Sequence, residues 1–313
     1  MTGIFKLSLP GEDRMSAIEA IAAAAALGPR GCLFPNVLDI SATLDIGELR
    51  AALAAAKEKG IGLAAGAGWI NPFHLDRAAR LQALGDGDYL AGLARLVAAA
   101  AEIGIHDLFF MISLIEDRFD RTVPWPDQLQ ATTALLSRFA PVLRQHGSRL
   151  LLKTHEEITT FEIVRVVETV GPDVLGVALD PVNLLVRIED PVAATRRVQP
   201  YVHQVHLDDA QVRFAEGGIR RVLYPFGQGQ IDWEAILALV PQAPRWIETH
   251  RGRFAMPVFD RAWLAAQPDM PLSEFAAVMA MAARSGNGPI PWDQAVPSTR
   301  LAPTLEAVLH LDF

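Results

Sequence analysis

The chain has 313 residues, of which 51% are hydrophobic, and its 28 basic residues against 36 acidic residues give a formal charge of −8. This acidic balance, without any basic run, argues against a nucleic-acid partner and favours a small-molecule one. The single cysteine, Cys32, cannot form an internal disulfide and indicates a reducing compartment. The first residues lack a signal-peptide pattern and no apolar stretch is long enough to span a bilayer, so we expect a cytoplasmic protein without membrane contact.

Short apolar segments alternate along the chain with Ala- and Leu-rich segments of helical periodicity. Eight apolar segments are predicted strands: GIFKLSL, GCLFPN, GIGLAAGAG, DLFFMIS, RLLLKT, VLGVALD, VHQVHL and RWIETH. The predicted helices between them are Ser16–Leu27, Ile46–Lys59, Asp88–Ile103, Pro126–His146, Thr160–Val170, Pro191–Gln199 and Trp233–Leu239. Asp45 and Asp232 directly precede two of these helices as expected N-caps.

Alternating strands and helices predict parallel strands joined by helical crossovers. Eight such units over about 250 residues have the size of a (β/α)8 barrel. An open doubly wound sheet is the alternative, but SLPGEDRM after the first strand lacks the glycine pattern of that fold. We therefore predict an α/β protein, a single-domain (β/α)8 TIM barrel over residues 1–252. Residues 253–313, with a helix at Leu272–Ala283, form a C-terminal extension that packs on the barrel or on a second subunit of a homo-oligomer.

Titratable residues end the last four predicted strands, where a barrel of this kind carries its chemistry. They are Lys153, His155, Asp180, His206, Glu248 and His250, with Asn183 and Arg251 just beyond. Asp, His and Glu side chains that converge from different strands form a hard oxygen and nitrogen site, suited to Mn²⁺, Mg²⁺, Co²⁺ or Zn²⁺. Each residue alone has an ordinary explanation, such as Asp180 capping the next helix, or Asp208 and Asp209 lying in a loop. The prediction therefore depends on the whole set.

Four segments resemble the xylose isomerase-like TIM barrels, a family of sugar and sugar-phosphate isomerases and epimerases. They are LGVALDPVN, VHQVHLDD, FGQGQIDWEAIL and WIETH, and the resemblance covers roughly residues 3–252. It implies a divalent metal held by Glu, Asp, His and Glu at the ends of strands five to eight. Three of these ligands carry over as Asp180, His206 and Glu248. The fourth does not, because the E-x-H of the family is Lys153-Thr154-His155 here.

This lysine reverses a charge in the implied site and removes one of the two glutamates that the epimerases of the family use as acid and base. Lys153 could point at the substrate beside a metal held by three ligands, or its ammonium could replace the metal. It could also act as a base or as a Schiff-base nucleophile. A degenerate, non-catalytic barrel is the fourth possibility.

We predict an enzyme that acts on a small polyhydroxylated carbonyl compound, a sugar or keto sugar acid, through an enediolate-like intermediate. The resemblance favours an isomerase or epimerase. The alternatives are a lyase that uses Lys153 on a keto sugar acid, and a non-catalytic sugar-binding barrel. The expected catalytic residues are Lys153, Glu248 and His155, the substrate-binding residues Trp69, Asn183 and Arg251, and the metal ligands Asp180, His206 and Glu248. Phe73 is a further candidate for the pocket wall, Trp246 for the wall or the core, and Arg213, Arg220, Arg221, Arg251 and Arg253 for anion binding.

Overall fold

The computed structural model describes residues 1–309 except 287, 289 and 294. Its strands are β1 (Thr2–Phe5), β2 (Gly31–Phe34), β3 (Gly62–Trp69), β4 (Asp107–Met111), β5 (Arg149–Lys153), β6 (Leu175–Leu179), β7 (Val202–Leu207), β8 (Asp209–Ala215), β9 (Gly218–Tyr224), β10 (Arg245–Ile247) and β11 (Phe254–Met256). Strands β1 to β7 and β10 form a closed barrel of eight parallel strands. The predicted TIM barrel is therefore confirmed, with all eight predicted strands in it.

Helices connect the barrel strands along the chain and continue beyond the last of them. They are α1 (Ala17–Ala26), α2 (Ile46–Glu58), α3 (Ala79–Leu84), α4 (Tyr89–Glu102), α5 (Ile115–Arg118), α6 (Trp125–His146), α7 (Thr160–Val170), α8 (Pro181–Leu184), α9 (Pro191–Val198), α10 (Trp233–Leu239), α11 (Arg261–Ala265), α12 (Leu272–Arg284) and α13 (Pro297–Leu309). Asp45 and Asp232 cap α2 and α10 as predicted, because their carboxylates accept hydrogen bonds from the backbone N–H groups of Glu48 and Ala235.

Large apolar side chains fill the interior of the barrel below its polar end. Phe5, Leu33, Phe109, Leu151, Ala178 and Trp246 form one buried cluster there. The Trp246 ring packs so closely on Gly3 that a Cβ on this glycine would collide with it. Trp246 is thus a core residue and not a pocket wall. Because this cluster fills the interior, an active site is expected at the carboxyl ends of the strands.

A three-stranded antiparallel sheet lies beside the barrel, in the order β11-β9-β8. Its β8–β9 hairpin follows directly on β7 and turns at Gly217, which has a left-handed φ of 74°. Sequence analysis missed this sheet, although QVRFA and GIRRVLY show the short β-rich pattern around a glycine turn. An ordinary loop was the simplest explanation for Asp208 and Asp209. They are instead buried at the start of this hairpin, each 1% exposed.

The described part of the chain beyond residue 252 packs on the β8–β9 hairpin and on Asp208 of the same chain. Strand β11 pairs with β9, and Ser285 at the end of α12 donates a hydrogen bond of 2.6 Å to the Val212 carbonyl of β8. In α13, Arg300 lies 3.0 Å from both oxygens of Asp208. Division of the chain at residue 252, the homo-oligomer and the cytoplasmic location stay predictions. Among the described residues, no helix has both the length and the apolar character needed to cross a membrane.

Candidate active site

Lys153 ends β5 and points into the polar end of the barrel. Its Nζ lies 2.8 Å from each carboxylate oxygen of Glu248 and 3.0 Å from Oδ2 of Asp180. Lys153 is only 3% exposed, and Asp180 is fully buried. The ammonium therefore uses its three N–H donors on two carboxylates from β6 and from the end of β10. Glu248 points inward, as the sequence prediction required.

His206 on β7 completes this cluster. Its Nδ1 contacts Glu248 Oε2, and its Nε2 lies 2.9 Å from the Gln204 side-chain amide. His206 and Gln204 thus share a face, as the two-residue period of the strand predicts. The candidate ligand atoms of Asp180, His206 and Glu248 all lie within 4.8 Å of one another. The convergence predicted from the strand ends is therefore present in the structure.

His250 connects this cluster to the C-terminal extension, a link that sequence analysis did not assign. Its Nε2 lies 2.6 Å from Asp180 Oδ2 and its Nδ1 lies 3.0 Å from Asp208 Oδ2. Asp208 is held in turn by Arg300, which also donates to the His250 carbonyl. The only signal in the sequence was the position of His250 two residues after Glu248, on the same face of an extended segment. No local pattern could have revealed Arg300.

The charges of the cluster compensate one another. Burial opposes the charge on Lys153, but Glu248 and Asp180 outweigh this effect and hold the pKa of the ammonium above its usual value. Burial likewise opposes ionisation of Glu248, whose pKa is nevertheless held well below its usual range by Lys153 and His250. The pKa of His250 is raised to about 9, because Asp180 and Glu248 outweigh the effect of burial. Burial and Lys153 lower the pKa of His206, which is therefore neutral.

These contacts decide how well a divalent metal fits. Both oxygens of Glu248 already accept hydrogen bonds from Lys153. The imidazole of His206 contacts Glu248 with one nitrogen and the Gln204 side-chain amide with the other, so a metal would have to displace one of these contacts. Of the three predicted ligands, only Asp180 keeps a buried oxygen without a hydrogen-bond partner. In this arrangement the residues fit the Lys153 ammonium and do not fit a divalent ion. The metal predicted from the sequence has thus gained no support from these contacts and stays untested.

His155 belongs to a second cluster at the same end of the barrel. Its Nδ1 lies 2.6 Å from Glu157 Oε2 and its Nε2 lies 2.8 Å from Glu156 Oε2. The ring of Trp69 meets His155 edge to face, with the two ring centroids 5.8 Å apart. Burial opposes a charge on His155, but Glu156 and Glu157 outweigh it and raise its pKa to about 10. His155 is therefore an imidazolium at neutral pH.

This shift predicts a pH dependence of stability. Because the folded-state pKa of His155 lies above the usual imidazole value, its ion pairs contribute fully below about pH 6.5, and the contribution disappears as the pH rises through about 10. We expect the melting temperature of the native protein to fall across this window, and that of His155→Gln to fall less steeply. Thermal unfolding in a pH series measures this, with His146→Gln at the end of α6 as the control. Equal slopes for native protein and His155→Gln would contradict the assignment.

A cavity of about 190 Å³ lies at this end of the barrel. Its lining includes Phe5, His155, Glu156, Asn183, Arg221, Glu248, His250 and Arg251. Lys153 is not part of this lining, but its ammonium lies 2.8 Å from Glu248, which is. Three of the residues predicted for catalysis or substrate binding by sequence position, His155, Asn183 and Arg251, thus share the cavity with Glu248.

The other candidates for the pocket wall lie elsewhere. Trp69 lies outside the lining and contacts His155, which belongs to it. Phe73 is 47% exposed and lies outside the lining. Arg213 donates to the Gly288 carbonyl at 2.9 Å and also lies outside it. Arg221 is the arginine of the predicted anion-binding set that reaches the cavity from the hairpin.

Comparison with known proteins agrees with this architecture. The chain is 28% identical over 127 residues to 3-oxo-isoapionate decarboxylase of Pectobacterium atrosepticum, a match that covers 40% of this chain and 46% of that protein. The chain thus spans less than half the length of this curated relative. The structure resembles that of D-psicose 3-epimerase determined in the presence of D-fructose, with a TM-score of 0.61, 21% identity and coverage of 91% of this chain and 96% of that one.

A similar likeness exists to 3-keto-D-glucoside 4-epimerase from E. coli, with a TM-score of 0.58, 16% identity and coverage of 89% of this chain and 98% of that one. At these identities the likeness shows the fold. Residues 21–248, more than half of the chain, match the family described as xylose isomerase-like TIM barrel. The chain therefore belongs to the xylose isomerase-like TIM barrel family.

Proposed function

We propose that the protein is a lyase that removes CO₂ from a keto sugar acid through an enediolate-like intermediate. The observation that carries this proposal is the buried Lys153 ammonium, which is held between Asp180 and Glu248, and Glu248 lines the cavity. A cation fixed in a site shielded from water strongly stabilises negative charge that develops on a carbonyl oxygen. The match to a decarboxylase supports the same reaction class.

In the proposed reaction, the bond between the carboxylate carbon and the carbon next to the ketone breaks. Its electron pair moves toward the carbonyl oxygen, which gives CO₂ and an enolate. Lys153 exchanges one of its hydrogen bonds to Glu248 for one to this oxygen and so stabilises the enolate. The His155 imidazolium, which lines the cavity, then delivers a proton to the enolate carbon and recovers its own from solvent.

The state of Glu248 favours loss of CO₂ over proton abstraction. An epimerase of this family needs a carboxylate base on each side of the substrate, and Lys153 replaces one of them. The remaining Glu248 is held by two hydrogen bonds of 2.8 Å from Lys153, and its pKa is well below its usual range. Such a carboxylate is a weak base. Departure of CO₂ generates the same enolate without any base.

An isomerase or epimerase is the second candidate. The position of Glu156 favours it, because this carboxylate lines the cavity and lies 2.8 Å from His155 Nε2. Burial raises the pKa of Glu156, but His155 outweighs this effect and holds the pKa at about 2, so Glu156 would also be a weak base. Proton abstraction next to a ketone would then give the enediolate, and proton return at the other carbon or on the other face would complete the reaction. This route predicts exchange of a substrate hydrogen with D₂O without release of CO₂.

One assay separates these functions. Purified protein is incubated in D₂O with a panel of 3-keto sugar acids and, separately, with ketohexoses, and the products are followed by NMR together with released CO₂. We expect CO₂ and one solvent-derived deuterium per product from a keto sugar acid, and no change of the ketohexoses. Interconversion of ketohexoses without CO₂ would replace the proposal by the second candidate. Binding of these compounds without any turnover would indicate the non-catalytic sugar-binding barrel.

A further inference from the structure

Arg221 on β9 is a buried arginine whose donors are only half used. It is 2% exposed, and its Nη1 donates to Asn183 Oδ1 at 2.7 Å and to the Val182 carbonyl at 3.2 Å. Its Nε and Nη2 are buried and have no hydrogen-bond partner. Burying the donors of a charged group without partners costs folding free energy. Such an arrangement therefore indicates a role other than stability.

The two unused donors form a single edge of the guanidinium. Nε–H and Nη2–H point in the same direction, which is the geometry that binds two oxygens of one carboxylate or phosphate. A flat face of the guanidinium packs on Phe254, with the guanidinium carbon 4.7 Å from the ring centroid. Contacts to Asn183 and Phe254 therefore fix the side chain and leave its fork available.

Arg221 lies where the active-site cavity meets a second cavity of about 370 Å³. His250 and Arg251 also line both cavities, so the two cavities are direct neighbours. The second cavity is lined in addition by Arg220, Arg253 and Arg300. Arg220 lies 3.1 Å from Asp293 and Arg300 lies 3.0 Å from Asp208, so both arginines are paired with carboxylates. The unused edge of Arg221 is therefore the feature of this region that favours an anion.

We infer that the second cavity is an oxyanion subsite, in which the free edge of Arg221 binds an anionic group at the end of the substrate remote from the reacting ketone. A carboxylate and a phosphate share the required chemistry. The carboxylate that leaves as CO₂ fits Arg221 less well, because a guanidinium bound to it would stabilise the ground state, in which that charge is still present, more than the transition state. The inference rests on the proposed function for the position of the reacting group, but binding of an anion needs no turnover.

Calorimetric titration of the full-length protein with inorganic phosphate, and separately with acetate, tests this subsite. We expect the native protein to bind at least one of these anions and Arg221→Gln to bind it at least tenfold more weakly. Arg221→Lys keeps the charge without the fork and should bind with intermediate affinity. Arg213→Gln is the matched control, because Arg213 lies in the same sheet, is 9% exposed and lies outside both cavities. Its anion affinity should equal that of the native protein.

Each result of these titrations leads to a different conclusion. Preference for phosphate would identify a phosphorylated substrate, and preference for acetate a second carboxylate. Binding of neither anion to the native protein, or equal binding by Arg221→Gln, would overturn the subsite. If Arg221→Gln does not fold, as thermal unfolding would show, the native protein and Arg221→Lys still decide the question. Anion binding through Arg221 in a protein that releases no CO₂ would support the subsite and reject the proposed decarboxylation.

Discussion

Lys153→Met is expected to lower turnover by about a thousandfold, because it removes the cation that stabilises the enolate while it keeps the length of the side chain. The same change leaves Glu248 and Asp180 buried without their shared ammonium. Breaking a buried ion pair by removal of one partner costs about 3–5 kcal/mol of unfolding free energy. Release of CO₂ measures the first effect and urea denaturation the second.

Two controls separate the chemistry from the loss of stability. Lys57→Met changes an exposed lysine of α2 and should leave both quantities unchanged. The double variant Lys153→Met, Glu248→Gln also removes one of the two carboxylates that have lost their ion-pair partner. It should therefore recover part of the unfolding free energy while turnover stays absent. Turnover of Lys153→Met at the native rate would remove Lys153 from the mechanism and leave it as a structural residue.

Lys153→Glu is expected to raise the affinity of the site for a divalent metal. It places a third carboxylate beside Asp180, Glu248 and His206, which restores the four-ligand pattern that the family resemblance implies. Without metal, three buried carboxylates should repel one another and destabilise the fold. A divalent ion should relieve this repulsion, so we expect Mn²⁺ to raise the melting temperature of Lys153→Glu strongly and that of the native protein very little.

The loaded Lys153→Glu protein should still fail to release CO₂ from a keto sugar acid, because the ammonium that would bind the enolate oxygen has been lost. Lys153→Gln is the control, since it removes the charge without supplying an anionic ligand and should gain no metal affinity. Native protein that binds Mn²⁺ as tightly as Lys153→Glu would contradict the conclusion that the lysine occupies the cation position.

Sequence alone could predict the barrel because its strands are short, largely buried apolar runs at regular spacing. The site followed from the same rule, since Lys153, Asp180, His206 and Glu248 end successive strands and the carboxyl ends of parallel strands meet at one edge. The ion pairs among these residues could not be predicted from their spacing. A lysine at the end of a strand could have pointed into an open pocket, and its removal would then have left stability unchanged. Its burial between two carboxylates depends on the tertiary structure.

The missed features share a physical cause, which is that they depend on contacts between distant parts of the chain. Arg300 reaches Asp208 across 92 residues, so the role of Asp208 in holding His250 has no local signal. The β8–β9 hairpin carried a local pattern, but it interrupts the strand–helix alternation that guided the assignment of the barrel. Arg221 resembled any other surface arginine in the sequence, because only the fold shows that Asn183 and Phe254 fix it with one edge unused.

The most direct test of this account is the release of CO₂ from keto sugar acids by native protein stripped of metal. The protein is dialysed against a strong chelator, its metal content is measured by elemental analysis, and turnover is compared before and after dialysis and after addition of Mn²⁺, Mg²⁺, Co²⁺ or Zn²⁺. If the Lys153 ammonium is the cation of the site, turnover should persist unchanged at substoichiometric metal and should not rise when a metal is added. Loss of turnover on stripping, with recovery on addition of one divalent ion, would contradict it.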